Sequence, residues 1–351
     1  MQKSKFGLFA CLFILQIFSL ATIWSTYPSL FLTQVSFVLI SVLIAYFISK
    51  IDFSILFSLS NFWYALGLLL LVVTFLVGRN IRGSVRWIDF GFFNLQTSEI
   101  IKPLLAIFCS AYLAKNPIKN NIDILKFLGV SMIPVVLVAR QPDLGSALTI
   151  AFLPLFMLLV TGNFKRLFIL GSLFLLIAVP LEAALLKPYQ KERIETFLNP
   201  YKDPQGAGYN VIQSTIAVGS GGFFGKGVKL GTQSHLNFLP ERHTDFIFAS
   251  FSEEFGYIGM LIFFACFYYL FRTFIYVAGR IKDLGSQLLV LSGFSIMSFQ
   301  FFVNVGMNMG IMPVTGITLP LFSYGGSSLL SFAFFFGFLI RQLDLLPPIE
   351  I

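Results

Sequence analysis

The chain has 351 residues, 57% of them apolar and only 11% charged, with 24 Lys and Arg against 16 Asp and Glu and a formal net charge of +8. A soluble domain carries roughly 25% charged residues, so the composition excludes that class, together with a disordered chain and a collagen-like repeat. The three cysteines, Cys11, Cys109 and Cys266, each lie in an apolar run; they form no disulfide framework, show no metal-type spacing, and give His235 and His243 nothing with which to build a His-based metal site. The residues describe an integral membrane protein.

A spanning helix needs about 20 mostly apolar residues. Ten such runs follow one another, at 7–24, 29–48, 54–78, 98–114, 124–140, 144–161, 165–187, 244–272, 284–308 and 318–340. The expected fold is therefore all-α, a polytopic membrane protein with ten transmembrane helices, and residues 1–351 form one transmembrane domain. The first run follows Lys3 and Lys5 as a signal peptide would, but nine further spans make a retained signal-anchor the expectation. One connector is long, the polar, Gly-rich stretch 188–243 between spans seven and eight, and loops of that length are usually functional.

With the N-terminus in the cytoplasm, the inner ends carry Lys3, Lys5, Lys50, Lys115, Lys119, Lys126, Lys165, Arg166, Arg272, Arg280, Lys282 and Arg341, as the positive-inside bias requires. Both termini are then cytoplasmic and the long loop is extracytoplasmic. The other cations concentrate at Arg79, Arg82, Arg86, Lys102, Arg140, Lys187, Lys191, Arg193, Lys202, Lys226, Lys229 and Arg242. Two readings stand: long loops translocate whatever their charge, or the outer face carries a cationic site for an anionic substrate.

Ionisable residues inside spans cost about 2.5–3.5 kcal/mol each on insertion scales, so they are functional candidates. Glu99 and Lys102 open span four three residues apart, hence on one helical face, as a site or as a self-neutralising pair. Gln141-Pro142-Asp143-Leu144-Gly145 joins spans five and six, where Pro142 and Asp143 also suit a plain helix start. Leu239 to Phe248 is the richest segment, followed by Ser252-Glu253-Glu254. Thr244 or Asp245 also suits a plain cap of span eight, beside a functional role. Glu253 and Glu254 fall about two turns inside it, on different faces, so the two acids are not expected to serve one site. Gly221 to Gly227 resembles a phosphate loop but has Ser220 and Gly227 where that motif needs Gly and Ser or Thr. It is expected to be a flexible segment whose backbone N–H groups still suit a phosphate. The set Ser234, His235, His243 and Asp245 has no nucleophile-elbow context. No nucleic-acid module is visible, and topology accounts for the net charge.

Further motifs stand in a fixed order. Arg86-Trp87-Ile88, Ser98-Glu99 with Lys102, and Gln141 to Gly145 come first. Asp203-Pro204, Gly208-Tyr209-Asn210, Gln213-Ser214, Gly219 to Gly222 with Gly225-Lys226-Gly227, and Gly231-Thr232-Gln233 follow. Leu239 to Phe248, Glu253-Glu254 with Gly256, Pro313-Val314-Thr315-Gly316 and Leu319 to Ser328 close the series. Over essentially the whole chain this ordered set resembles the SEDS family (shape, elongation, division and sporulation). Pro240-Glu241-Arg242-His243-Thr244-Asp245 is similar to its elongation branch; the division branch usually has Ala in place of Arg242. Ile101 and Pro103, flanking Lys102, depart from the family's preference, and Pro103 still suits the first turns of a helix.

The resemblance implies a peptidoglycan glycosyltransferase that polymerises lipid II at the outer face of the bacterial cytoplasmic membrane, for elongation and rod shape. It implies partners as well: a class B penicillin-binding protein and other elongation-complex membrane proteins. In the implied inverting transfer, the 4-hydroxyl of an acceptor GlcNAc attacks C1 of a donor MurNAc and undecaprenyl pyrophosphate leaves. On that reading Asp245 is the general base, and Arg86, Lys102 and Lys226, with Arg193 and Arg242, neutralise the leaving group. Glu99 positions Lys102 or, like Asp245, offers a hard oxygen ligand to a divalent cation, magnesium or manganese; no organic cofactor is expected. Trp87 lies against sugar or isoprenoid, or is an interfacial belt residue. Asp143 supports the site, and Gln233, Glu241, His243 and Ser323 complete the expected substrate contacts. The alternatives are a lipid II flippase, a division-type polymerase and a non-catalytic scaffold. Transporters often show repeated halves and helices broken near the midplane; here no repeat is visible and the candidates cluster at one face.

Overall fold

With no water in the bilayer core, every backbone N–H and C=O must be paired within the chain, and an apolar run meets that requirement as a helix. The computed structural model describes residues 2–81, 84–91, 93–166, 193, 195–206, 208–236 and 238–346. Its helices, in order, are α1 (Gln2–Thr26), α2 (Phe31–Ile48), α3 (Phe53–Ser58), α4 (Ser60–Val77), α5 (Thr97–Lys115), α6 (Asn121–Ser131), α7 (Ile133–Arg140), α8 (Leu144–Val160), α9 (Tyr209–Ser220), α10 (Thr232–His235), α11 (Ile247–Ala278), α12 (Leu284–Asn308) and α13 (Gly326–Leu345). Each expected run is covered except 165–187, of which 167–187 lies outside the described residues, as do Lys187 and Lys191 of the long connector. Among the described residues eight helical stretches are long and apolar enough to cross a membrane, and α8 is a shorter apolar helix.

Several runs do not form one straight helix. Pro134 has no N–H for the carbonyl of Val130, and α6 gives way to α7 there. The freed carbonyl accepts instead from the Tyr64 hydroxyl at 2.7 Å. α11 breaks at Gly256, whose φ of 62° and ψ of −161° are not helical. Residues 257–278 alone rise about 33 Å, enough for the hydrocarbon core. Glu253 and Glu254 lie about two turns after the start of α11 at Ile247, where the sequence places them, and just before the break.

The break is closed from outside the helix. Glu253 and Glu254 carbonyls accept from Lys226 N–H at 2.9 Å and Gly227 N–H at 3.0 Å, while Tyr257 and Ile258 N–H donate to Gly222 and Phe223 carbonyls at 2.9 and 3.2 Å. The Gly-rich stretch is therefore a backbone clasp. Lys226 and Gly227 N–H groups are committed to α11 and Gly225 N–H to the Gly221 carbonyl, so these three are not open to a phosphate.

Between α4 and α5 lies an antiparallel meander of β1 (Arg79–Ile81), β2 (Ser84–Asp89) and β3 (Asn94–Gln96), in the order β1-β2-β3. Trp87 pairs with Arg79 on one side and Gln96 on the other. The expected start of span ten is also different. Residues 318–325 precede α13 as irregular backbone packed within the protein: Gln16 Nε2 donates to Leu321 O at 2.7 Å and Ser19 Oγ to Phe322 O at 2.6 Å. Burial inside protein is what allows non-helical backbone at that depth. Lys5 at the start of α1 pairs with Asp344 at the end of α13, so both ends lie on one face.

Gly256→Ala tests the clasp. A Cβ there would sit 2.2 Å from Gly225 N, and the backbone conformation alone costs about 1–3 kcal/mol for other residues. We expect a lowered thermal transition in detergent, whereas Gly129→Ala, with nothing within 4 Å of the added Cβ, leaves it unchanged.

Candidate active site

The irregular segments meet at the end of the bundle away from the Lys5–Asp344 contact. They enclose a cavity of about 550 Å³, well within the size of ligand pockets. Its walls come from α2 (Phe37), β2 (Arg86, Trp87), the first turn of α5 (Glu99), the turn before α8 (Asp143), Arg193, the turn Glu241–Asp245, the loop 315–318 and the start of α13.

Local sequence explains each placement. β3 runs straight into α5, which sets Gln96 and Glu99 on the wall with Ser98 buried between them. Asp143 caps α8, accepting from Ser146 N–H at 3.1 Å. It also accepts from Ser98 Oγ and Gln96 Nε2, each at 3.3 Å, and lies 3.7 Å from Arg86 Nη1. Arg86 is held further by donation to the Pro142 carbonyl. Asp143 thereby ties β2, β3, α5 and α8 together.

Glu99 and Lys102 form a buried ion pair at 2.6 Å, with Lys102 fully inaccessible. Only Glu99 faces the cavity. Among the described residues, four buried polar atoms on the cavity wall have no protein partner: Arg86 Nε, Glu99 Oε2, Gln300 Oε1 and Thr318 Oγ1. Buried polar atoms are nearly always hydrogen-bonded, so these open ones are groups that a polar ligand in the cavity could satisfy.

Asp245 lies in the turn before α11. The helix starts at Ile247 with Phe246 as N-cap and without a side-chain cap, and Thr244 Oγ1 instead donates to Glu241 Oε2 at 2.9 Å. Neither Thr244 nor Asp245 is the plain cap that the sequence allowed. Across from Asp245 stands Gly316, with φ +73°; a Cβ there would sit 3.5 Å from Asp245 Oδ2. The His243 ring packs between Tyr27 at 4.9 Å and Tyr324 at 5.8 Å between centroids, giving the cavity mouth flat faces.

The cavity thus gathers Arg86, Trp87, Glu99, Asp143, Arg193, Glu241, His243 and Asp245 of the expected set. It does not gather the others. Lys226 donates to Glu253 Oε1 at 2.8 Å, and Gln233 N–H donates to the same oxygen at 3.0 Å; both belong to the shell that neutralises a fully buried Glu253. Glu254 is committed elsewhere, to Ser25 and His235. Arg242 donates from Nε to the Thr26 carbonyl at 3.1 Å, and burial lowers its pKa from the ordinary value. Ser323 Oγ donates to Thr244 O at 2.7 Å while accepting from Leu319 N–H at 2.8 Å, so it fixes the backbone of the Asp245 turn. Lys102 acts on the cavity only through Glu99. Gln96, Gln300 and Tyr324 line the cavity and escape a search for ionisable residues because they carry no charge at neutral pH.

Fold and site together define a polytopic helical membrane protein with a charged, polar cavity sunk into one end of its bundle. The chain belongs to the SEDS family: the profile described as "Cell cycle protein" (FtsW, RodA, SpoVE) matches residues 4–344. Peptidoglycan glycosyltransferase MrdB of Escherichia coli K12 is 39% identical over 279 residues, 78% of this chain and 75% of that protein. A Buchnera aphidicola (Schizaphis graminum) protein named "probable peptidoglycan glycosyltransferase FtsW" is 39% identical over 302 residues, 82% of this chain and 83% of that one. Among solved structures, a chain described under polymerisation and crosslinking by a peptidoglycan synthase complex superposes with TM-score 0.84 at 32% identity, covering 97% of both chains. Rod shape determining protein RodA of Thermus thermophilus gives TM-score 0.73 at 28% identity over 96% of both.

Lys102→Met leaves Glu99 buried without its counter-charge and is expected to cost about 3–5 kcal/mol. The double variant Glu99→Gln/Lys102→Met should recover most of that loss in the same thermal unfolding measurement.

Proposed function

We infer that the chain is a peptidoglycan glycosyltransferase that polymerises lipid II, with Asp245 as its general base. The observation that carries the reading is the placement of Asp245 on the wall of one cavity together with Arg86, Arg193 and the open oxygen of Glu99.

The acceptor's 4-hydroxyl gives its proton to the Asp245 carboxylate while its oxygen attacks C1 of the donor sugar. The C1–O bond to undecaprenyl pyrophosphate breaks, and the anomeric centre inverts. Arg86, through its open Nε–H, and Arg193 neutralise the charge that develops on the leaving group. Trp87, His243 and Tyr324 offer flat faces to the sugar rings. Glu99 orients polar substrate atoms, and Lys102, paired with it at 2.6 Å, holds its carboxylate in place. Among the described residues no three His, Cys, Asp or Glu side chains come together as metal ligands. The open oxygen of Glu99 and the Asp245 carboxylate, both on the cavity wall, would be the ligands this chain offers to magnesium or manganese. Such an ion would add to the neutralisation of the pyrophosphate.

The reading places the cavity at the extracytoplasmic face of a bacterial cytoplasmic membrane and both termini in the cytoplasm. The Lys5–Asp344 contact, at the opposite end of the bundle, supports that orientation. A class B penicillin-binding protein is the proposed partner, supplying transpeptidation, with other elongation-complex membrane proteins around it. The structural likeness to a chain from a peptidoglycan synthase complex supports an enzyme that works in an assembly.

Purified protein with a transpeptidase-dead partner should convert labelled lipid II into glycan strands. Asp245→Asn should lose at least about 10²-fold in rate, the usual contribution of a general base, while still binding the partner. Full-length polymer from that variant removes Asp245 as base. Lipid II crossing proteoliposome membranes, with no polymer from wild type, favours the flippase.

A further inference from the structure

Two fully buried asparagines of α12, Asn304 and Asn308, lie one helical turn apart and both aim at the backbone of Asp245. Each donates from Nδ2 to the Asp245 carbonyl at 3.0 Å. Asn304 Nδ2 also donates to Ile317 O at 2.7 Å, beside the Gly316 that faces the Asp245 carboxylate. Asn308 Oδ1 accepts from Ala249 N–H at 3.1 Å.

Residues 245 and 249 are four apart, so in a helix continued backwards the Ala249 N–H would bond the Asp245 carbonyl directly. The Asn308 amide stands between them and takes both partners, as an inserted side chain does when it opens a helical ladder. α11 consequently begins at Ile247, and Asp245 stays in the turn on the cavity wall. A third link reaches outward: Ser214 of α9 donates to the Asn308 carbonyl at 2.8 Å, one of the otherwise orphaned carbonyls at the end of α12.

We propose that Asn304 and Asn308 are positioning residues for glycosyl transfer, holding the Asp245 carboxylate at the cavity by keeping its residue out of α11. The proposal rests on the reading of Asp245 as the base and deepens it. A neutral amide that pairs a carbonyl and an N–H at once is hard to replace. Carboxylates offer no donor, hydroxyls reach only one partner well, and apolar side chains let the helical bond close. Misplacing a reacting group by about 1 Å costs about 10²-fold in rate.

The test is steady-state polymerisation of lipid II by the full chain with its partner, comparing wild type, Asn308→Ala, Asn304→Ala, Asn308→Ser and Asp245→Asn. For Asn308→Ala we expect kcat to fall about 10²-fold with KM for lipid II unchanged, and the acid limb of the pH–kcat profile to move. Asn308→Ser, which keeps a donor, should recover part of the loss, and Asn304→Ala carries the test if Asn308→Ala does not fold. Wild-type kcat in Asn308→Ala and Asn304→Ala, with Asp245→Asn inactive, overturns the positioning role alone. A fall in kcat matched by loss of lipid II binding and a lowered thermal transition also overturns it, in favour of a purely structural role. Wild-type turnover in Asp245→Asn defeats the reading of Asp245 as base and the positioning with it.

Discussion

Lys102 is wholly buried in a membrane protein, and its ammonium meets one carboxylate, Glu99, at 2.6 Å. A charge in that position is tolerable only when paired, and the pairing fixes the first turn of α5, from which one wall of the cavity is built. The same constraint recurs around it. Asp143 draws Arg86, Gln96, Ser98 and the start of α8 to a single carboxylate. Glu253 collects Lys226 and the N–H groups of Thr232, Gln233 and Ser234. Each buried acid organises a different segment, so the cavity end of the protein is arranged by charge satisfaction as much as by apolar packing.

The far end of the bundle follows the opposite rule. There, α11 and α12 meet through phenylalanines, Phe267 and Phe263 lying 4.5 and 5.9 Å from Phe301 between centroids, and Phe274 of α11 lies 5.5 Å from Phe336 of α13. Aromatic contacts of this kind add to burial without demanding any polar partner. The rigid lower bundle lets irregular backbone survive above it. Residues 318–325, the Asp245 turn and the break at Gly256 all have backbone groups bonded to side chains or to other backbone. Chemistry sits where helices stop because only there can several acids, cations and aromatic faces from different spans point into one space.

Hydropathy made the spans legible, and the cavity acids stood out as ionisable residues in apolar runs. Trp87 and Arg86 were found through the motif they share. The β meander was not legible, because its strands are three to six residues long and pair only once α4 and α5 bring them together. The clasp at Gly256 escaped because the partners of its N–H groups lie some thirty residues away, a separation no local motif encodes. For the same reason Lys226 passed for a substrate cation when its real partner is Glu253. Asn304 and Asn308 did leave a trace, two amides one turn apart in an apolar span, and polar residues on one face of such a span point inward.

The central claim is that one cavity holds both the leaving pyrophosphate and the attacking hydroxyl. The most direct measurement is a structure of the Asp245→Asn variant, in nanodiscs with its partner, bound to lipid II. The account predicts the pyrophosphate within hydrogen-bonding distance of Arg86 and Arg193, with the acceptor sugar hydroxyl beside the substituted position. A headgroup seated instead against Lys226 and Lys229, outside the cavity, would contradict it.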